Sequence, residues 1–215
     1  MKFDKKELDE ILNALESGDY NDLYDSVFYE QIIRPFKLKY KKSFSYDYGA
    51  TKGVIIFEEL GFVIKIPFGG ASLDSEFYGA DCDNGWDYCK AEVNKYEFAH
   101  QSNLEQCFAK TMPIADINGH PIYIQEFAIM FNKDDGSSSN HTKDDIEKIK
   151  GLCEYNDYDC FNSSWLSDAF NFFGEKVFYQ LMNFISDVDI NDLHSGNLGY
   201  IGMRPVLVDY SSFND

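Results

Sequence analysis

Three polar residues in the last quarter of the chain have the types and spacing needed to hold a divalent metal beside an acceptor hydroxyl. Asp192 lies five positions before Asn197, and Asp209 follows twelve positions later, directly after the apolar run 206–208. Carboxylate and amide oxygens are ligands that Mg²⁺ accepts, so we expect Asn197 and Asp209 to bind the metal. Asp192 would then orient the hydroxyl and accept its proton. The order and spacing of the three residues point to phosphoryl transfer.

A lysine within an apolar strand is the next candidate group. Lys65 lies between Ile64 and Ile66, and strand alternation turns it away from these neighbours. It is either a solvent-facing lysine or a buried ammonium that binds phosphate oxygens and is held by a carboxylate. We favour Glu92, on the helix predicted after this strand, as that carboxylate. Glu97, on a different face of the same helix, is the alternative.

Two backbone segments could contact a nucleotide. Gly49, Thr51 and Gly53 lie in a predicted turn between strands, where glycines let backbone N–H groups approach phosphate closely. A plain two-glycine turn is the commoner explanation of this pattern. Glu126 and Ala128 lie at the end of a later strand, and their backbone would face an adenine if two lobes join there.

The elements that must position these residues follow from hydrophobic periodicity. Helices are predicted at 4–16, 21–33 (ended by Pro35), 86–100, 142–154 and 165–187, and strands at 43–48, 54–57, 62–66, 109–115, 122–127, 198–201 and 205–208. Strands with one inserted helix therefore precede a helical part with a loop and a short hairpin. This order predicts an α+β fold of two lobes around a shared cleft, with a boundary near 127–132.

Composition limits the partners of the chain. Lysine and arginine total 19 against 37 aspartate and glutamate, a net charge of −18, which repels nucleic acids and anionic membranes. We therefore expect no nucleic-acid or membrane partner. Attraction to a basic protein, mimicry of a nucleic-acid backbone and plain solubility all stay open.

The sequence has no apolar leader and no run of about 18 apolar residues, so we expect a cytoplasmic protein. We interpret the five cysteines as reduced thiols rather than zinc ligands.

Taken together, these residues resemble the protein kinase-like superfamily over roughly residues 44–212. Four segments carry the resemblance: 63–66 is similar to the strand-lysine motif, Glu92 to its partner on the inserted helix, 192–197 to the catalytic loop, and 208–210 to the metal-binding aspartate motif. His194 and Gly196 bring the loop closer to the aminoglycoside and choline kinase branch, and to atypical bacterial kinases, than to eukaryotic protein kinases.

The resemblance implies a protein kinase-like two-lobe fold. Its parts would be a helical extension at 1–43, an antiparallel-sheet N-lobe with one inserted helix at 44–131, and a reduced, mainly helical C-lobe at 132–215. It implies ATP and Mg²⁺ as cofactors, with Lys65 and Glu92 at the phosphates and Asp192 as the catalytic base. Only six residues follow Asp209, so we expect no activation segment. Such a short chain suits a phage or mobile-element protein acting in a bacterial cytosol.

The chain departs from the family pattern in two motifs. Thr51 stands where the glycine loop has its middle glycine, and Tyr210-Ser211 replaces the Phe-Gly of protein kinases. We expect a phosphotransferase acting on a hydroxyl acceptor, with a protein favoured over a small molecule, while nucleotide transfer to a protein stays open. The alternative is a catalytically inactive pseudokinase that binds and inhibits a host protein through its acidic surface.

Overall fold

The computed structural model of the chain describes residues 4–49, 51–68, 85–130, 163–190 and 195–211. Two compact units are present. The first takes in the residues up to 93 and 110–127, and the second takes in 94–109 and the residues from 128 to 213. The chain passes from the first unit to the second after residue 127, but residues 94–109, which the predicted N-lobe at 44–131 includes, belong to the second unit. The helix predicted at 142–154 and the candidate base Asp192 lie outside the described residues.

The first unit is built on one antiparallel sheet of five strands, in the order β1-β2-β3-β5-β4. The predicted α+β class is confirmed by this sheet and its helices. In chain order the elements are α1 (Lys5–Leu15), α2 (Asp25–Phe28), a π-helical segment (Tyr29–Ile33), α3 (Arg34–Lys39), β1 (Ser45–Tyr48), β2 (Lys52–Phe57), β3 (Phe62–Pro67), the first half of α4 (Gly85–Gln101), β4 (Thr111–Ile117) and β5 (His120–Glu126).

The two faces of this sheet differ in chemistry. Ile55, Ile64 and Ile124 lie on one face and are completely buried in a core that also contains residues of α1, α2 and α3. Residues of the opposite parity lie on the other face, where Lys65 pairs with Val54 in the register of β2 and β3. Strand alternation therefore separates an apolar core from a face that carries charge.

The N-terminal helices belong to this core and do not form a separate extension. Leu15, Phe28 and Phe36 are fully buried in the same cluster as the strand residues. We predicted a domain limit at residue 43, but residues on both sides of it lie in one unit. The physical reason is that an apolar sheet face must be covered by another layer, and these helices supply the apolar stripe.

The second predicted helix does not end at Pro35. The helical segment continues to the end of α3, with Pro35 in its first turn. Arg34 donates its backbone N–H to the carbonyl of Tyr29, five residues earlier. Pro35 has no N–H to donate to the Gln31 carbonyl. That carbonyl instead accepts a hydrogen bond of 3.0 Å from the backbone N–H of Asp19. The predicted helix end at Pro35 was wrong because the Asp19 N–H, distant in the chain, replaces the hydrogen bond that Pro35 cannot make.

The second unit combines helices with a three-stranded antiparallel sheet, in the order β6-β7-β8. The predicted single helix at 165–187 is two helices, because Gly174 has φ 79° and ψ 159°, a conformation outside the helical region that glycine adopts readily. The predicted hairpin near 198–208 is confirmed. No described helix is both long and apolar enough to cross a membrane. The elements are the second half of α4, β6 (Ile129–Met130), α5 (Ser163–Phe173), α6 (Glu175–Asp187), a 3-10 turn (Ser195–Asn197), β7 (Leu198–Ile201) and β8 (Arg204–Leu207).

Close packing explains one glycine that we had placed in a turn. Strand β2 begins at Lys52, so Gly53 lies in the strand, opposite Ile66. A Cβ atom added to Gly53 would overlap Cζ of Phe28, whereas one added to Gly49 would meet nothing within 4 Å. The aromatic ring of Phe28 thus occupies the space that a side chain at position 53 would need.

This packing predicts that alanine substitutions at the two glycines lower the free energy of unfolding by different amounts. Gly53→Ala should lower the free energy of unfolding by about 1–3 kcal/mol, because the Phe28 ring must move. Gly49→Ala, the matched control, should change it by less than about 0.5 kcal/mol. Urea denaturation measures both values, and the cost of Gly53→Ala should shrink in a Phe28→Leu background. Equal costs at the two glycines would contradict the packing argument.

Candidate active site

Lys65 and Glu92 form a buried ion pair in the first unit. The Nζ atom of Lys65 lies 2.6 Å from Oε2 of Glu92, and their side chains are 4% and 0% exposed. Strand β3 supplies the lysine and helix α4 the glutamate. The predicted pairing with Glu92 is confirmed, and Glu97, the alternative, is exposed. The role of this pair at nucleotide phosphates stays a prediction.

A second lysine, which sequence reasoning did not connect with this pair, shares the same carboxylate. Lys52 Nζ lies 3.0 Å from Oε1 of Glu92, and the Lys52 side chain is 9% exposed. In the register of β2 and β3, Val54 pairs with Lys65, and Lys52 lies two residues earlier on the same face. The signal is present in the alternation of β2, but the glycines on either side of Lys52 predict a turn there.

Two polar side chains from the neighbouring strands fix the position of the Glu92 carboxylate. Gln125 Nε2 and Thr111 Oγ1 donate to Glu92 Oε2 at 3.3 and 3.4 Å, and Gln125 Nε2 also donates to Thr111 Oγ1 at 2.6 Å. All three residues are buried. Because Gln125 and Thr111 are directly opposite each other in the register of β4 and β5, the sheet itself holds this network. The result is a polar cluster of Lys52, Lys65, Glu92, Thr111 and Gln125.

The glycine turn lies directly beside this cluster in the chain. Gly49 donates its backbone N–H to the carbonyl of Lys52 at 3.0 Å, and the carbonyl of Thr51 accepts from the backbone N–H of Phe68 at 2.8 Å. The turn is therefore anchored to the start of β2 and the end of β3. Its contact with phosphates, including that of Gly53, stays a prediction.

Two backbone N–H groups of the segment predicted to face an adenine already form hydrogen bonds within the first unit. The Glu126 N–H donates to the carbonyl of Lys110, and the Phe127 N–H donates to the carbonyl of Gly61, both at 3.0 Å. Glu126 Oε2 also accepts from the Lys110 backbone N–H at 3.1 Å. An adenine would have to use other backbone groups of this segment. The predicted role of Glu126 and Ala128 stays untested.

Asn197 and Asp209 lie at the base of one hairpin in the second unit. The Val208 backbone N–H donates to the Asn197 carbonyl at 2.9 Å, beside the Leu198–Leu207 pair that begins the β7–β8 ladder. Asn197 is buried and Asp209, the residue after Val208, is half-buried. The hairpin thus brings together the backbones of the two predicted metal ligands.

Each end of the segment that carries these ligands is held by Lys95. The Nζ atom of Lys95 donates to the carbonyl of Asp189 at 3.1 Å and to the carbonyl of Ser211 at 2.8 Å. Ser211 Oγ donates in turn to Asp209 Oδ1 at 3.2 Å. The buried side chain of Tyr210 donates to the carbonyl of Ala109 at 2.8 Å. One ammonium therefore links the chain just after α6 to the chain just after Asp209.

The chemistry of Asn197 and Asp209 fits a magnesium ion. An amide oxygen and a carboxylate are hard oxygen donors, and Mg²⁺ commonly takes one or two protein carboxylates and completes its shell with water and phosphate. Within the described ranges no group of three His, Cys, Asp or Glu residues could hold a metal. Phosphate and water would supply the remaining ligands of such an ion.

The two described cysteines are buried thiols. Cys89 and Cys107 are buried and form no disulfide, in agreement with the predicted thiols. Burial raises the pKa of Cys107 to about 12, so this thiol stays protonated at neutral pH.

Comparison with known proteins identifies no relative of the chain: no protein-family model matches it, and no curated protein does.

The shared carboxylate predicts an order of stabilities. Glu92→Ala removes the carboxylate that holds two buried lysines and should lower the free energy of unfolding by about 3–5 kcal/mol. Lys52→Met and Lys65→Met should each cost less, because Glu92 keeps the other lysine. Chemical denaturation measures the three values. Equal losses in the three variants would contradict a single carboxylate shared by both lysines.

The Lys95 hydrogen bonds predict a local effect on the second unit. Lys95→Met should increase amide exchange in peptides covering residues 195–211 by about tenfold or more, since a hydrogen bond to a charged group contributes roughly 1.5–3 kcal/mol. Lys90→Met, at an exposed position of the same helix, is the matched control and should leave exchange unchanged. Mass spectrometry after deuterium labelling measures both. The same exchange in both variants would show that Lys95 does not hold this segment.

Proposed function

We propose that the chain is an ATP- and Mg²⁺-dependent phosphotransferase, a kinase, that acts on a hydroxyl acceptor. The buried Lys65–Glu92 ion pair is the observation that carries the proposal. Two charges removed from water cost several kcal/mol each, and apolar side chains of similar volume often stabilise a fold as well or better. Such a pair on a sheet face is therefore better explained by a functional requirement for an oriented ammonium.

The residues have separate roles in this proposal. Lys65 would bind phosphate oxygens, and Glu92 would hold its ammonium in one orientation. Asn197 and Asp209 would bind the metal through their side-chain oxygens. Asp192 would accept the proton of the acceptor hydroxyl as that oxygen attacks phosphorus. When bound, ATP supplies the phosphoryl group and Mg²⁺ stabilises the charge on its phosphates.

The acceptor class follows from charge. A net charge of −18 attracts basic protein surfaces and repels acidic ones. Charge therefore favours an acceptor in basic surroundings, and we propose the serine, threonine or tyrosine hydroxyl of a protein rather than a small molecule.

A pseudokinase that binds and inhibits a host protein is the second candidate. The observation that favours it is the packing of Gly53 against Phe28, because this glycine then has a structural explanation that needs no phosphate. The acidic composition would serve such a binder equally well. In this case the polar cluster around Glu92 would be a structural element only.

Incubation with γ-labelled and α-labelled ATP plus Mg²⁺ tests the proposal, with the protein alone and with a bacterial lysate. Label from the γ position should appear in protein. Lys65→Ala, Asp192→Ala and Asp209→Ala should each reduce it by on the order of 10²-fold or more, because each removes transition-state stabilisation. Glu97→Gln, at an exposed position of α4, should retain full activity.

Three other results of the labelling experiment would contradict or change the proposal. Retained activity in both Lys65→Ala and Asp209→Ala would contradict the proposed roles. Transfer of the α label would indicate nucleotide transfer in place of phosphoryl transfer. No transfer of either label, together with no rise in melting temperature on addition of Mg²⁺ and ATP, would favour the pseudokinase.

A further inference from the structure

We infer that Lys52 is a second phosphate-binding lysine, which together with Lys65 makes the first unit selective for a polyphosphate over a nucleoside. This inference rests on the proposed function, because it concerns the same nucleotide. It goes beyond that function by adding a ligand-binding residue that the kinase resemblance does not supply and by naming what that residue selects.

The positions of the two ammonium groups are the first argument. Lys52 Nζ lies 3.0 Å from Oε1 of Glu92, and Lys65 Nζ lies 2.6 Å from Oε2 of the same carboxylate. The two lysines come from adjacent strands and lie on the same face of the sheet. One carboxylate thus holds two ammonium groups on the same face of the sheet, one at each of its oxygens.

The rigidity of the carboxylate is the second argument. Glu92 is completely buried, and Thr111 and Gln125 also donate to its Oε2 atom. Its orientation is therefore set from several directions. Both lysines are held by an acceptor that cannot turn freely, so their ammonium groups are positioned before any ligand binds. Such preorganisation lowers the entropy cost of binding.

The place of Lys52 in the chain is the third argument. Lys52 begins β2, and its carbonyl accepts the backbone N–H of Gly49 across the glycine turn. The residue thus belongs both to the turn predicted to cover phosphates and to the cluster around Glu92. An ammonium carries three N–H donors, so the bond to Glu92 by itself takes up only one of them.

A purely structural role predicts a different behaviour. If Lys52 only balanced the charge of Glu92, its removal would weaken the cluster and affect the binding of every nucleotide form alike. If Lys52 binds phosphate, its removal weakens ATP binding and leaves adenosine binding as it was. The ratio of the two affinities separates these roles, because adenosine shares the base and ribose but has no phosphate.

The experiment measures the affinities of adenosine, ADP and ATP by calorimetry, with and without Mg²⁺. The proteins are the wild type, Lys52→Met, Lys65→Met, the double variant and the exposed control Lys90→Met. Each single cluster variant should lower the preference for ATP over adenosine by about tenfold, and the double variant should abolish most of it. Adenosine affinity and the Lys90→Met values should stay at the wild-type level.

Lys52→Gln keeps the measurement valid if the methionine variant does not fold. Its amide can still donate to Glu92 but carries no positive charge. Circular dichroism and thermal melting verify that each variant is folded. Lys52→Gln should lower the ATP preference by about tenfold, as Lys52→Met does, and Lys52→Arg should retain most of it because the positive charge remains.

The outcomes separate this inference from the proposed function. An unchanged ATP preference in folded Lys52→Met or Lys52→Gln, with a loss in Lys65→Met, would overturn the inference and leave the proposed function intact. Equal weakening of adenosine and ATP would assign Lys52 a structural role and also overturn it. If the wild type binds none of the three ligands, the inference falls together with the proposed function.

Discussion

The first unit depends on the burial of one carboxylate, that of Glu92. An ionised group without water is tolerated only where its charge and its hydrogen-bonding capacity are met by protein groups. Lys52 and Lys65 meet the charge, and Thr111 and Gln125 donate further hydrogen bonds. These partners come from four different strands, so the sheet must have its register before the cluster can form. The cluster therefore forms only when all four strands are paired in the correct register, and it is also part of the candidate site.

The opposite face of the sheet makes this charged face possible. Ile55, Ile64 and Ile124 provide the hydrophobic burial that offsets the cost of the ion pairs. The N-terminal helices cover that face and share its core, with Phe28 packed so closely on β2 that position 53 has room only for glycine. A register slip of one residue would exchange the two faces and place lysines in the apolar core. Charge and packing therefore specify the same register.

In the second unit, hydrogen bonds to backbone carbonyls hold the segment that carries the predicted metal ligands. The hairpin base brings the backbones of Asn197 and Asp209 together, while Lys95 links the carbonyls of Asp189 and Ser211. Buried Tyr210 adds a further bond to the backbone of Ala109. These bonds give the segment a defined course, which a metal-binding segment requires if its ligands are to be correctly spaced.

The sequence by itself determined the features that depend on local pattern. Alternation turned Lys65 away from its apolar neighbours, helical spacing placed Glu92 and Glu97 on different faces, and the α+β order and the short hairpin followed from periodicity. Only the tertiary structure decided the rest: Lys52 joins Glu92, the Asp19 N–H replaces the bond that Pro35 cannot make, and Phe28 excludes a side chain at Gly53. Each of these contacts joins residues well separated in the chain. Local propensity carries no information about such partners, because they meet only after strands and helices have packed.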